Sequence, residues 1–463
     1  MIPEMKPLNL ILCLAIATHC WAEDNALKNS SISSTGKPAL EIASAIQNER
    51  AKDHLNLGLQ CCLLNYQEKA RYHFLESVKS DDTCLLAHVG MLMVYPSGSA
   101  EYKKQLKIVN SLVESAVLTP VEEWYLSTFL QYISGDLHGA AAAFKERAAV
   151  YRRDVMAACW DIILNHYAGE QGTSLIKRAD ALVERYPDNP VVHYCRALLE
   201  EYSTPVSEKA LRSARKASEL LHGNPVPQLL TGYLLGRSEL LTDAISEFEA
   251  AIQSASHDLK NISKSGAFVH NASLLSGISA QWQAGNKLES LKKCRSMCSQ
   301  LPKNILPESD GDILMHWEAR TLPLRLLVLQ PTAPSRAAIN AASKISEAPA
   351  DDPVKTVQNC LVAALQTRAL ASSARISSAN ETLAKAESLL ADLQRLESDM
   401  VRKGGLLLTC YRRAIRACKG AILQARLSLY SDSTSIWKPH LDELLSQPET
   451  RLLPPVLPQI RQK

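Results

Sequence analysis

The chain has 463 residues, enough for about three ordinary domains or one long repeat array, and it is close to charge balance, with 51 basic and 48 acidic residues and a formal charge of +3. No run of five like charges interrupts that balance, which excludes a basic nucleic-acid arm and an acidic tail. Apolar residues make up 46% and aromatics only 5%, a composition suited to closely packed helices and not to an aromatic-rich β-sandwich.

The N-terminus reads as a secretory signal over residues 1–22. Lys6 precedes an apolar run from Leu8 to Ala17, and Cys20-Trp21-Ala22 puts small residues at the two positions a signal peptidase inspects. The run is too short to span a membrane. Lipid attachment at Cys20 is the weaker reading, because bulky His19 sits where a small residue is wanted. Residues 23–37, rich in Ser, Asn and Thr without periodicity, read as a flexible leader. The mature chain is therefore expected to be exported, in a periplasm or outside the cell, with no transmembrane segment.

Helical patterning begins at Pro38. A first pair of helices is expected over 50–65 and 67–79, with Leu55, Leu59, Cys62 and Leu63 on one face. The stretch 85–118 keeps the length of a pair but not its motif, since Tyr95-Pro96-Ser97-Gly98 makes a longer turn. Next come 124–133 and 137–150, joined at Ser134-Gly135-Asp136, where Gly135 supplies the left-handed backbone that a helix end favours. A pair over 156–186 stops at Pro187-Asp188-Asn189-Pro190, and further pairs follow over 191–221, 226–254 and 266–301. After Pro302 the phase is lost. A helix over 310–329 is expected to be interrupted at Pro323, followed by a short helix between loops and by helices over 354–371, 379–401, 406–429 and 437–445. Residues 38–304 thus form an array, and 305–463 a C-terminal helical region of drifted repeats and a cap.

One spacing organises the array. Leu198, Ala210, Ala214 and Ala217 recur 34 residues later as Gly232, Ala244, Phe248 and Ala251, and the same ladder runs earlier through Gly58, Ala70, Phe74 and Ser77, with Ala140 and Phe144 following two periods on. A small residue, then a second small residue on the next helix, lets two helices cross closely, with Gly58 expected to face Ala70 and Gly232 to face Ala244. Large residues such as Phe74, Phe144 and Phe248 fill the space against the next pair, each burying about 2–3 kcal/mol of apolar surface. Leu57-Gly58, Ala70 and Phe74, then Trp124, Gly135-Asp136, Ala140 and Phe144, then the two later copies, resemble the tetratricopeptide repeat family over roughly 49–304. The resemblance implies an all-α fold, a right-handed α-solenoid of antiparallel helix pairs.

It also implies a concave groove lined by the first helix of each pair. In this chain that face comprises Lys52, Leu55, Leu59 and Cys62; Glu122, Tyr125, Phe129 and Tyr132; Val192, Cys195, Leu199 and Tyr202; and Leu229, Tyr233 and Arg237. The aliphatic members are expected to serve the core. Tyr125, Phe129, Tyr132, Tyr202 and Tyr233, with Arg237, are the candidate anchors for an apolar or helical peptide.

Outside Cys13 and Cys20, ten cysteines are dispersed through predicted helices and are expected to be core residues, with one or two bridges between helices left open. Cys294 and Cys298 share a helix face but lack the further ligands of a closed zinc site. Metalloprotease, nucleophile-elbow and phosphate-loop motifs are absent, and Ser213-Ala214-Arg215-Lys216 is an isolated Ser-x-x-Lys inside a repeat helix. The reading is a non-enzymatic scaffold without cofactor or nucleic-acid partner that binds a protein or peptide. An enzyme with its site in the C-terminal region and a self-associating solenoid are the alternatives.

Overall fold

The computed structural model describes residues 40–42, 46–95, 99–114, 118–170, 173–201, 205–221, 224–261, 268–300, 310–328, 330, 332–349, 352–401, 406–430 and 436–441. The signal segment, the leader, Cys20 and Tyr202 lie outside these residues. Among the described residues the secondary structure is helical, without strands.

The helices are α1 (Glu49–Leu63), α2 (Gln67–Ser80), α3 (Leu85–Val94), α4 (Ala100–Val113), α5 (Pro120–Ile133), α6 (Leu137–Val150), α7 (Val155–Tyr167), α8 (Thr173–Arg185), α9 (Pro190–Leu198), α10 (Glu208–Leu220), α11 (Pro225–Arg237) and α12 (Leu241–Asn261). They continue with α13 (Phe268–Gln283), α14 (Lys287–Gln300), α15 (Asp310–Val328), α16 (Arg336–Ile345), α17 (Pro353–Ser372), α18 (Ile376–Val401) and α19 (Leu406–Leu429). The odd-numbered helices α3 to α11 start at Leu85, Pro120, Val155, Pro190 and Pro225, each 35 residues after the one before. Their start signals are local: Thr119 and Glu122 form a capping box on α5, and Asp154 and Asn189 cap α7 and α9. The turn inside a pair also recurs, with one left-handed residue each at Asn65 (φ 54°), Gly135 (φ 94°), Gly169 (φ 89°) and Glu239 (φ 61°).

The chain divides into two compact units, one running to Leu234 and the other beginning at Leu235. The division falls inside α11, well before the boundary expected at 304–305. Leu275, Ile278 and Trp282 of α13 and Cys294, Met297 and Cys298 of α14 share one core with Trp317, Leu322 and Leu327 of α15, so loss of the sequence phase does not mark a break in packing.

In unit 1, α1 to α4 pack in order, α3 also meets α5, and α5 to α10 pack in order, while Phe74 of α2 locks the first three together. A Cβ placed on Gly58 of α1 or on Gly90 of α3 would lie 2.4 Å from the Phe74 ring, which therefore sits between two bare backbones. Gly58 thus meets the Phe74 ring at close range. Two periods on, Phe144 of α6 occupies the position of Phe74, and Trp160 of α7 occupies that of Gly90. The array solves the same packing differently there: Phe144 and Trp160 stack with centroids 5.7 Å apart and planes 20° apart.

Unit 1 also buries imidazoles. His73 is 9% exposed, and its Nδ1 lies 3.0 Å from Nδ1 of His54, so one ring donates to the other. Burial, reinforced by His54 and Lys69, pushes His73 down to about 3, and burial pushes His166 down to about 4. The unfolded chain protonates both near pH 6.5 while the folded chain resists until pH 3–4, so stability present above pH 6.5 is lost on acidification. The slope is at most about 1.4 kcal/mol per pH unit for each ring. Urea midpoints of unit 1 are expected to fall from pH 6.5 to pH 4, less steeply in His73→Phe. A pH-independent midpoint would contradict this.

In unit 2, α15 packs against α13, α14, α16, α17 and α19, and α17 against α18 and α19. The expected interruption at Pro323 does not occur, and α15 runs continuously through it. Proline removes the N–H that would bond the Ala319 carbonyl. The Cys298 thiol donates to that carbonyl instead, at 3.5 Å. The end of α15 is held similarly: Arg368 donates to the carbonyls of Val328 and Gln330 at 2.9 and 2.7 Å, so a buried cation meets the negative end of the helix.

Candidate functional site

The face assigned to a groove is largely internal. Tyr125, Phe129 and Tyr233 are 0%, 1% and 1% exposed, and Leu55, Leu59, Val192 and Cys195 are fully buried. Tyr132 and Arg237 are half-buried. The three rings are therefore corrected from groove anchors to core residues, because their bulk is consumed between helices. Phe129 packs on Trp160 at 5.4 Å, and Tyr125 on Phe144 at 6.0 Å. A buried phenol needs a partner, and the Tyr125 hydroxyl donates to Asp154 Oδ1 at 2.6 Å. Asp154 in turn accepts from Arg147 Nε at 2.6 Å and from the Ala157 N–H at 2.9 Å, so one carboxylate caps α7 and ties α5 and α6 to it.

A second cause is long-range. Helix α1 packs directly on α7, and the Tyr194 hydroxyl of α9 donates to the Leu64 carbonyl at 3.4 Å, across 130 residues of sequence. Unit 1 thus joins helices from distant pairs. Cys62 and Tyr132 remain half-buried on the assigned face. Burial, with a contribution from the Cys62 thiol, pushes the Tyr132 hydroxyl up to about 12.

Unit 2 holds an open cleft of about 290 Å³ between α12, α13 and α14. Ile252, Leu274 and Met297 supply an apolar floor, and Gln253, Ser296 and a 3.4 Å ion pair between Glu249 and Lys293 line its rim. Sequence reasoning missed the cleft because its residues come from three helices with no shared motif.

The same unit contains a polar cluster along α15. Glu318 lies between two guanidiniums, paired with Arg325 and, at 2.8 Å, with Arg413. Burial works to raise the Glu318 carboxyl, but Arg325 and Arg413 outweigh it and hold it below the usual range. His316 Nε2 lies 2.7 Å from Asp352 Oδ2, and its Nδ1 accepts from Arg320 Nε at 3.3 Å. Both imidazole nitrogens are engaged by neighbouring side chains. The void beside Glu318, bounded by Trp317, Thr321 and Val357, is about 10 Å³, room for a single water. Charges so placed organise a core.

Among the described residues, no three His, Cys, Asp or Glu side chains gather in a way that could hold a metal ion, and no helix is long and apolar enough to cross a membrane. Cys294 and Cys298 are buried in the unit 2 core, with Cys298 engaged by Ala319. No protein-family model matches the chain, and no curated protein matches it either.

Proposed function

We propose that the chain is a non-enzymatic interaction scaffold of the tetratricopeptide kind, an exported right-handed solenoid of antiparallel helix pairs that binds a protein or peptide segment. The observation that carries this reading is the 35-residue recurrence of helix starts from Leu85 to Pro225, joined by the recurring left-handed turn inside each pair. Export to a periplasm or the extracellular space rests on the signal-like residues 1–22.

The burial of Tyr125, Phe129 and Tyr233 moves the contact surface elsewhere. The unit 2 cleft is the better surface for an amphipathic helical segment carrying one apolar anchor, because its floor is apolar and its rim carries both charge signs. The mixed rim disfavours a polyanion. The enzyme alternative would have been favoured by a buried, shifted polar cluster opening on a cavity. The cluster around Glu318 is buried and shifted, but its charges are paired and the adjoining void is water-sized.

A photo-crosslinking residue placed at Gln253 in the cleft, with Val150 on unit 1 as an exposed control, tests the reading in the native cell. A discrete adduct with another protein from Gln253 and none from Val150 is expected. Equal labelling at both positions, or adducts only between copies of the chain, would overturn it, the latter in favour of self-association.

A further inference from the structure

Residues 40–42 precede α1 and lie outside any helix, yet they are seated in the core. Leu40 and Ile42 are 2% and 1% exposed, while Glu41 between them is half-buried. That alternation is what an extended backbone imposes, because residues two apart point to the same side. The Ile42 N–H donates to Oδ1 of Asn56 on α1 at 3.0 Å. Leu59 and Leu63 lie three and seven residues beyond Asn56 on the same face of α1, and both are buried, so the site is apolar around a single amide.

Half of that amide is unused. A carboxamide accepts through Oδ1 and donates through Nδ2. Asn56 is 1% exposed, and its Nδ2 meets no acceptor among the described residues. Buried polar groups seldom stay unpaired, because the water they gave up is not replaced. An extended peptide can offer the Asn56 side chain both an N–H and a carbonyl. Residues 40–42 supply only the first.

We propose that the face of α1 around Asn56 is a docking site for an extended apolar segment of a partner protein, and that residues 40–42 are a built-in occupant which such a segment displaces. The occupant defines the partner's chemistry: large aliphatic side chains two residues apart, a backbone N–H for Asn56 Oδ1 and a backbone carbonyl for Nδ2. Two contributions set the exchange. The tethered residues act at high effective concentration, being part of the same chain a few residues from α1. The incoming segment adds the hydrogen bond they leave unmade. The site belongs to unit 1 and is separate from the unit 2 cleft, so it stands or falls independently of that surface.

The probe is a fluorescein-labelled peptide with the sequence of residues 38–44, Pro-Ala-Leu-Glu-Ile-Ala-Ser. It is titrated into the full-length wild type and into a Leu40→Ser/Ile42→Ser variant, which vacates the site, with fluorescence anisotropy as the readout. The vacated variant is expected to bind about tenfold or more tightly than the wild type, because the tethered competitor is gone. Adding Asn56→Leu to it should weaken binding by about tenfold, the loss of the amide's hydrogen bonds. Equal binding by wild type and vacated variant, binding indifferent to Asn56→Leu, or no binding by a folded vacated variant would overturn the proposal. Concentration-dependent dimers in place of peptide binding would overturn it in favour of exchange of residues 40–42 between copies. Hydrogen exchange of the wild type gives a second measurement that requires no variant. The Ile42 amide should exchange about tenfold or more faster than that of Leu59, with little dependence on denaturant, the signature of a local release. An Ile42 amide as protected as Leu59 would make residues 40–42 a permanent part of the core and overturn the proposal.

Discussion

Replacing Glu318 with glutamine is expected to destabilise unit 2 by about 3–5 kcal/mol, the cost of leaving buried charges without their partner. Glutamine keeps the shape and removes the charge, so the guanidiniums of Arg325 and Arg413 stay in the core with nothing to neutralise them. Their side chains are 10% and 4% exposed, which leaves little water to compensate. Replacing all three residues together by apolar residues of similar volume should cost far less, because it removes the charges along with the pairing. Urea unfolding followed by fluorescence measures both variants. A Glu318→Gln protein as stable as the wild type would show that the cluster does not hold the core.

Phe74→Ala is expected to cost unit 1 about 3–5 kcal/mol, since a fully buried ring that touches three helices leaves a cavity they cannot close. Gly90→Ala is expected to cost about 1–3 kcal/mol for the opposite reason: the new methyl meets ring atoms that are backed by Gly58 and have no room to retreat. The combination carries the sharper prediction. With Phe74 already reduced to alanine, the methyl at position 90 enters the cavity, so Gly90→Ala should become neutral or stabilising, and the double-mutant cycle should show strong coupling. Additive losses would mean that Phe74 and Gly90 do not share the contact on which the repeat packing depends.

The helices were legible wherever their signals are local. The end at Pro187–Pro190, the left-handed Gly135 and the span Leu406–Leu429 follow from caps, breakers and periodicity confined to a few neighbours. Pro323 misled for a definable reason: the carbonyl it orphans is satisfied by Cys298, twenty-one residues away and on another helix. The candidate groove failed in the same way. Periodicity identifies which side of α5 carries Tyr125 and Phe129, but it says nothing about Trp160 packing over Phe129, or about α1 meeting α7. Trp160 stood in the sequence without a repeat motif to single it out, because it replaces a glycine by stacking and not by smallness. The cleft between α12, α13 and α14 and the ion pair of Glu318 with Arg413 belong to the same class, contacts between residues far apart in sequence.

The claim on which the proposed reading most depends is that helices from distant pairs meet within unit 1, with Tyr125 and Phe129 inside its core. Hydrogen exchange of the α1 amides tests it directly. In an open array the terminal pair frays first and exchanges quickly. With α1 seated on α7 and Tyr194 bonded to Leu64, the amides from Leu55 to Leu63 should instead be protected as strongly as those of α7. Rapid exchange across α1 alongside slow exchange in α7 would contradict the account and return the inner face, with its aromatic side chains, to the list of surfaces open to a partner.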